Sequence, residues 1–143
     1  SSRAPWSPDI AARTGAMATA LMVRGEEKRF AESLGDSLVR LNGRMRHAHA
    51  MSSIGLIFGF SGLKIAAPQE YAGVLQRWLP YLELCRLPHG GAAFFGGKRN
   101  IGGDQYLGYS SIGNAMVGLM LASADDRLFM HGGSSKGWFG HIE

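Results

Sequence analysis

Apolar residues recur along this chain with two different textures. Between Glu26 and Met45 they fall at Phe30, Leu34, Leu38, Leu41 and Met45, spaced four, four, three and four apart, which predicts a helix with one apolar stripe. Glu27, Lys28, Glu32, Asp36 and Arg40 lie off the stripe, acids early and arginine late, as the helix dipole favours. From Ala48 to Ala66 the texture changes. Met51, Ile54, Leu56, Ile57, Phe58, Phe60, Leu63 and Ile65 leave almost no polar face, and Gly55, Gly59 and Gly62 make the segment thin. A helix that is apolar all round is one buried all round. Pro68 ends it. Gln69 to Leu87 returns to a one-sided pattern, with Tyr71, Val74, Leu75, Trp78, Leu79 and Leu82 inward, a kink expected at Pro80 and closure at Pro88. Ser110 to Ser123 is a second thin, apolar helix. A third opens at Pro8-Asp9, with Ser7 as N-cap and Pro8 at the first helical position; its apolar and small residues recur from Ile10 to Met22, and Gly25 ends the run.

The order is thin, one-sided, thin, one-sided, glycine-rich loop, thin. Alternation of buried and half-wet helices is what two stacked helical layers require, so the fold class is all-α, built from two-layer helical hairpins. A weak repeat supports it: Ser52-Ser53-Ile54-Gly55 recurs as Ser110-Ser111-Ile112-Gly113, each time opening a thin helix. If these two helices are neighbours, Gly55, Gly59, Gly113 and Gly118 should sit at close contacts, where a missing Cβ lets the axes approach. The organisation reads as an irregular lead over 1–8, one helical domain over 9–133 and a flexible Gly/Ser-rich tail over 134–143. The loop from His89 to Gly103 carries Gly90-Gly91, Gly96-Gly97 and Gly102-Gly103, and Arg127 to Met130 is a short extended piece.

Composition narrows the function classes. The 143 residues are 45% apolar and 18% charged, with 21 glycines in no G-x-y period, so neither wholesale disorder nor collagen fits. Net charge is +4, concentrated at Arg40, Arg44, Arg46, His47 and His49, a solvated helix end or an anion patch. No lysine-rich run or RNA-binding signature points to nucleic acid. Cys85 is the one cysteine, which excludes an internal disulfide and a CxxC metal site; its place in the run Leu82-Glu83-Leu84-Cys85 reads as a buried small hydrophobe. No stretch is apolar enough to span a membrane. The start at Ser1-Ser2, in a proline-containing segment, reads as a cut in a longer polypeptide.

Trp78 through Gly133 resembles the α/α-toroid proteins related to prenyltransferases and terpenoid cyclases, and within them a bacterial family of unknown function. The resemblance is carried by Pro88-His89-Gly90-Gly91-Ala92-Ala93-Phe94-Phe95, Asp104-Gln105-Tyr106-Leu107-Gly108, the thin helix from Ser111, and Leu128-Phe129-Met130-His131-Gly132-Gly133. It implies part of a ring, at its C-terminal end, since a closed toroid needs five or six helix pairs and this chain supplies about two and a half. It also implies a secreted or periplasmic setting. The zinc ligands of the prenyltransferases have no counterpart: where their histidine would follow a tyrosine stands Tyr106-Leu107-Gly108, and where their aspartate and cysteine would sit stands His49-Ala50-Met51-Ser52. The Asp-rich motif of the cyclases is absent too. No metal and no cofactor is implied.

Two functions remain open on this reading. The first is a non-catalytic binding or assembly module, completed by the remainder of its own polypeptide, another chain or a second copy. The second is a toroid-type enzyme acting on a glycan, peptide or lipid by acid/base chemistry in a central cavity. Its candidate catalytic residues are His49, Asp104 and Tyr106, with Arg99, Asn100, Tyr109 and His131 as binding residues. Histidine and a carboxylate are the natural proton carriers near neutral pH. A glycine-rich loop lets backbone N–H groups converge on an anion. The enzyme reading requires His49 and Asp104 in one concave pocket.

Overall fold

The computed structural model describes residues 9–46, 52–92 and 110–124. They form five α-helices: α1 (Ile10–Arg24), α2 (Lys28–Leu41), α3 (Ser52–Ala66), α4 (Pro68–Leu84) and α5 (Ser110–Ala124), with a 3-10 turn at Asn42–Arg44 after α2. No strand occurs among the described residues, apart from one bridge between Arg86 and Ala92. The all-α expectation holds. None of the described helices is long and apolar enough to cross a membrane.

Local chemistry sets the helix ends. Asp9, rather than Ser7, precedes α1; its carboxylate pairs with Arg13 one turn on at 3.3 Å. Gly25 closes α1 in the left-handed region at φ 70°. There the Gly25 N–H donates to the Met22 carbonyl and the Glu26 N–H to that of Leu21, a pair of bonds that satisfies two carbonyls at the helix end. Pro68 both ends α3 and starts α4, so a single residue, Ala67, turns the corner between them. At the first helical position proline gives up an N–H that would have no partner anyway. Pro80 does not stop α4, which runs on to Leu84.

α3 is the central helix. It packs against α1, α2, α4 and α5, while α2 also touches α1 and α4 also touches α5. Gly55, Leu56, Gly59, Phe60, Gly62, Leu63, Ile65 and Ala66 are buried, and Phe58 is exposed. The apolar texture predicts burial all round, and α3 meets it on most of its surface, with Phe58 exposed and Ile57, Ser61 and Lys64 partly exposed. Phe60 stands edge-on to Tyr71 and Trp78 of α4, with ring centroids 5.7 and 6.0 Å apart. Leu38, Met45, Leu56, Leu63, Val74 and Met116 fill the space around them.

The closest helix contact is not the one the repeat predicts. α1, not α5, meets α3 with no side chains between. A Cβ on Gly62 would lie 2.5 Å from the Gly15 Cα, and one on Gly15 would lie 2.5 Å from the Phe58 carbonyl carbon and closer still to its oxygen. Gly59 faces the Met45 side chain instead, and a Cβ on Gly118 would meet nothing within 4 Å. Gly113 is buried. The Ser-Ser-Ile-Gly repeat marks two helix starts, on helices that do pack against each other. The stripe on α2 is also rotated: Ala31, Gly35 and Leu38 are buried, Leu34 and Leu41 are half-buried, and Phe30 is 49% exposed. The cause is the same. A Cβ on Gly35 would lie 2.8 Å from the backbone of Ala66, so α2 also docks through its small residues, which pushes the bulky ones to the rim. On α4 the inward set is as predicted except for Leu79, which is 41% exposed.

Candidate functional site

The residues singled out for acid/base and binding roles, His47, His49, Arg99, Asn100, Asp104, Tyr106, Tyr109 and His131, all lie outside the described residues. So do the extended piece over 127–130 and the tail over 134–143. Among the described residues, no group of three His, Cys, Asp or Glu side chains converges as a metal site would require. Arg40, Arg44 and Arg46 are exposed at the end of α2 and just beyond it, as both a solvated helix end and an anion patch require.

Three other features carry polar groups into the fold. The first is a crevice where α3, α4 and α5 meet, lined by Ile57, Phe60, Ser61, Tyr71, Met116 and Ser123 among others. Its enclosed space suits about one water molecule, too little for a substrate. The Tyr71 hydroxyl donates a 2.8 Å hydrogen bond to the Met120 carbonyl oxygen, joining α4 to α5. Burial pushes the phenol pKa up to about 12, against a smaller downward pull from its hydrogen bond with Ser123. The Lys64 ammonium stands 5.4 Å from the centre of the Tyr71 ring, within cation–π range. A phenol held this firmly protonated is a donor, not a proton acceptor near neutral pH.

The second feature is Tyr81 with Cys85, one turn apart at the end of α4. Burial first, and then the neighbouring Cys85, raise the Tyr81 pKa above the ordinary phenol value, while Arg46 pulls it the other way. Cys85 is buried, as its apolar setting predicts. The third is the start of the glycine-rich loop. Gly90 and Gly91 take φ values of 93° and 87°, a region that favours glycine, and the Leu87 N–H donates to the Gly91 carbonyl. The turn is fastened to α5 by Asn114, whose Oδ1 accepts the Ala92 N–H at 2.7 Å. Asn114 is absent from the sequence-level candidates. Its signal was available: an amide in a helix otherwise built from serine, small and apolar residues.

The remaining feature is a surface. α5 buries one narrow side, Gly113, Met116, Met120 and Ser123, against α3 and α4. Its other sides expose Asn114, Ala115, Gly118, Leu119, Leu121 and Ala124 among the described residues. Leu119 and Leu121 are 40% and 45% exposed, and none of the fifteen residues of α5 is charged. Elsewhere the exposed large apolar residues are Met17, Val23, Phe30, Phe58, Leu79 and Leu84; Val23, Phe30 and Leu84 each adjoin a charged residue in the chain, Arg24, Arg29 and Glu83, and each of the six lies on a helix that carries charged side chains. Isolated apolar residues of that kind are ordinary on a surface, whereas an uncharged helix side is not. The chain matches no protein-family model, and comparison with curated proteins and with solved structures returns no match.

Proposed function

We propose that this chain is a non-catalytic binding or assembly module, part of an α/α array of the toroid kind, whose α5 side is completed by another polypeptide segment or a second copy. The observation that carries the reading is the uncharged outward side of α5, with Leu119 and Leu121 close to half exposed. The contact pattern supports it. α3 lies between α1 and α5, with α2 bridging α1 and α3 and α4 bridging α3 and α5. A row of inner helices backed by outer ones would make these same contacts, and in that layout α5 would be the end helix among the described ones. Such a side is about 22 Å long for fifteen residues. Covering it with another helix removes apolar area from water at about 25 cal/mol per Å².

The test is a concentration series in sedimentation velocity, together with binding of the apolar dye ANS, on the parent and on Leu121→Glu. Leu121 is half exposed, so the variant should fold with stability within about 0.5 kcal/mol of the parent. The expected result is dye binding or self-association in the parent and a clear reduction of both in the variant. A parent that stays monomeric up to high micromolar concentration and binds no dye refutes the proposal.

A further inference from the structure

We draw no further inference here: the strongest candidate, the uncharged outward side of α5 around Ala115, Gly118 and Leu121, belongs to the surface already described, and nothing in the structure shows what covers it.

Discussion

Replacing Gly15 with alanine tests the central packing claim, because it adds one methyl group at a place with no room for it. The new Cβ would lie 2.5 Å from the Phe58 carbonyl carbon and 2.9 Å from the Gly59 nitrogen. Ordinary van der Waals contact begins near 3.4 Å and the Phe58 carbonyl oxygen is nearer still than its carbon, so α1 and α3 would have to part by more than about 1 Å. The obstacle is backbone on a helix packed against all four others, and no side chain can turn aside to make room. A gap of 0.5–1 Å forfeits roughly a quarter to a half of each dispersion contact across it. Overpacking typically costs about 1–3 kcal/mol, and a clash with backbone belongs at or beyond the top of that range. Alanine recovers about 1 kcal/mol of helix propensity over glycine. The net expectation is a loss of about 2 kcal/mol or more, roughly a thirtyfold change in the folding equilibrium. Urea unfolding followed by circular dichroism at 222 nm reads this directly. Gly73→Ala and Gly118→Ala are the controls: both sites are exposed and mid-helix, and an added Cβ meets nothing within 4 Å. Those two should be stabilised by up to about 1 kcal/mol. A Gly15→Ala chain as stable as its parent would mean that α1 and α3 do not meet backbone to backbone.

Tyr71→Phe should cost about 1–2 kcal/mol, because it removes the buried hydrogen bond to the Met120 carbonyl. The same substitution should alter the alkaline limb of stability. The Tyr71 pKa is raised on folding, from 10.0 to about 12, so its contribution is intact below pH 10 and is lost as the pH rises from 10 toward 12. Urea midpoints between pH 8 and 11.5 should therefore fall more steeply for the parent than for Tyr71→Phe, and parallel curves would contradict the assignment. Gly91→Ala meets both a positive φ and the Asn114 side chain, whose Oδ1 would be 2.8 Å from the new Cβ. Hydrogen exchange at the Ala92 amide should accelerate at least tenfold in that variant and in Asn114→Ala, taking about 1.4 kcal/mol as the worth of the anchor. An unchanged rate in Asn114→Ala would show that Asn114 does not hold the turn.

The sequence was most readable where side-chain size decided the outcome. α3 is apolar over most of its circumference, and it packs against the four other described helices with Phe58 left exposed. Tyr71, Val74, Leu75, Trp78 and Leu82 give α4 a single inward side, and all five are buried. It was least readable where the absence of a side chain decided. Phe30 is bulky, at helical spacing, and yet lies at the rim, because Ala31 and Gly35 let α2 settle onto the backbone of Ala66. Hydrophobic spacing ranks residues by apolar area and so passes over the small ones that set how near two helices come. The partner of a glycine-rich helix is also not written in its own pattern. On α3, Gly62 faces the Gly15 backbone of α1 and Gly59 faces Met45, a choice that the spacing of the α3 glycines does not encode. For the candidate site, spacing yields residue types without geometry, and those residues fall outside the described part of the fold. The anchor at Asn114 depends on a contact across 22 positions, between Ala92 and Asn114, which local spacing does not encode.

The glycine seam between α1 and α3 also bears on how such a chain can change over generations. Where side chains interdigitate, an enlargement on one helix can be answered by a reduction on the other, and the pair drifts together while the volume is kept. Gly15 and Gly62 have no such exchange, since the atoms facing each of them belong to the main chain and nothing smaller than glycine is available opposite. A substitution at either position has no local suppressor. It can be tolerated only by moving a whole helix, and α3 is held on its other sides by α2, α4 and α5. In a lineage of sequences keeping this fold, these two positions would act as fixed points around which the apolar side chains are free to be exchanged.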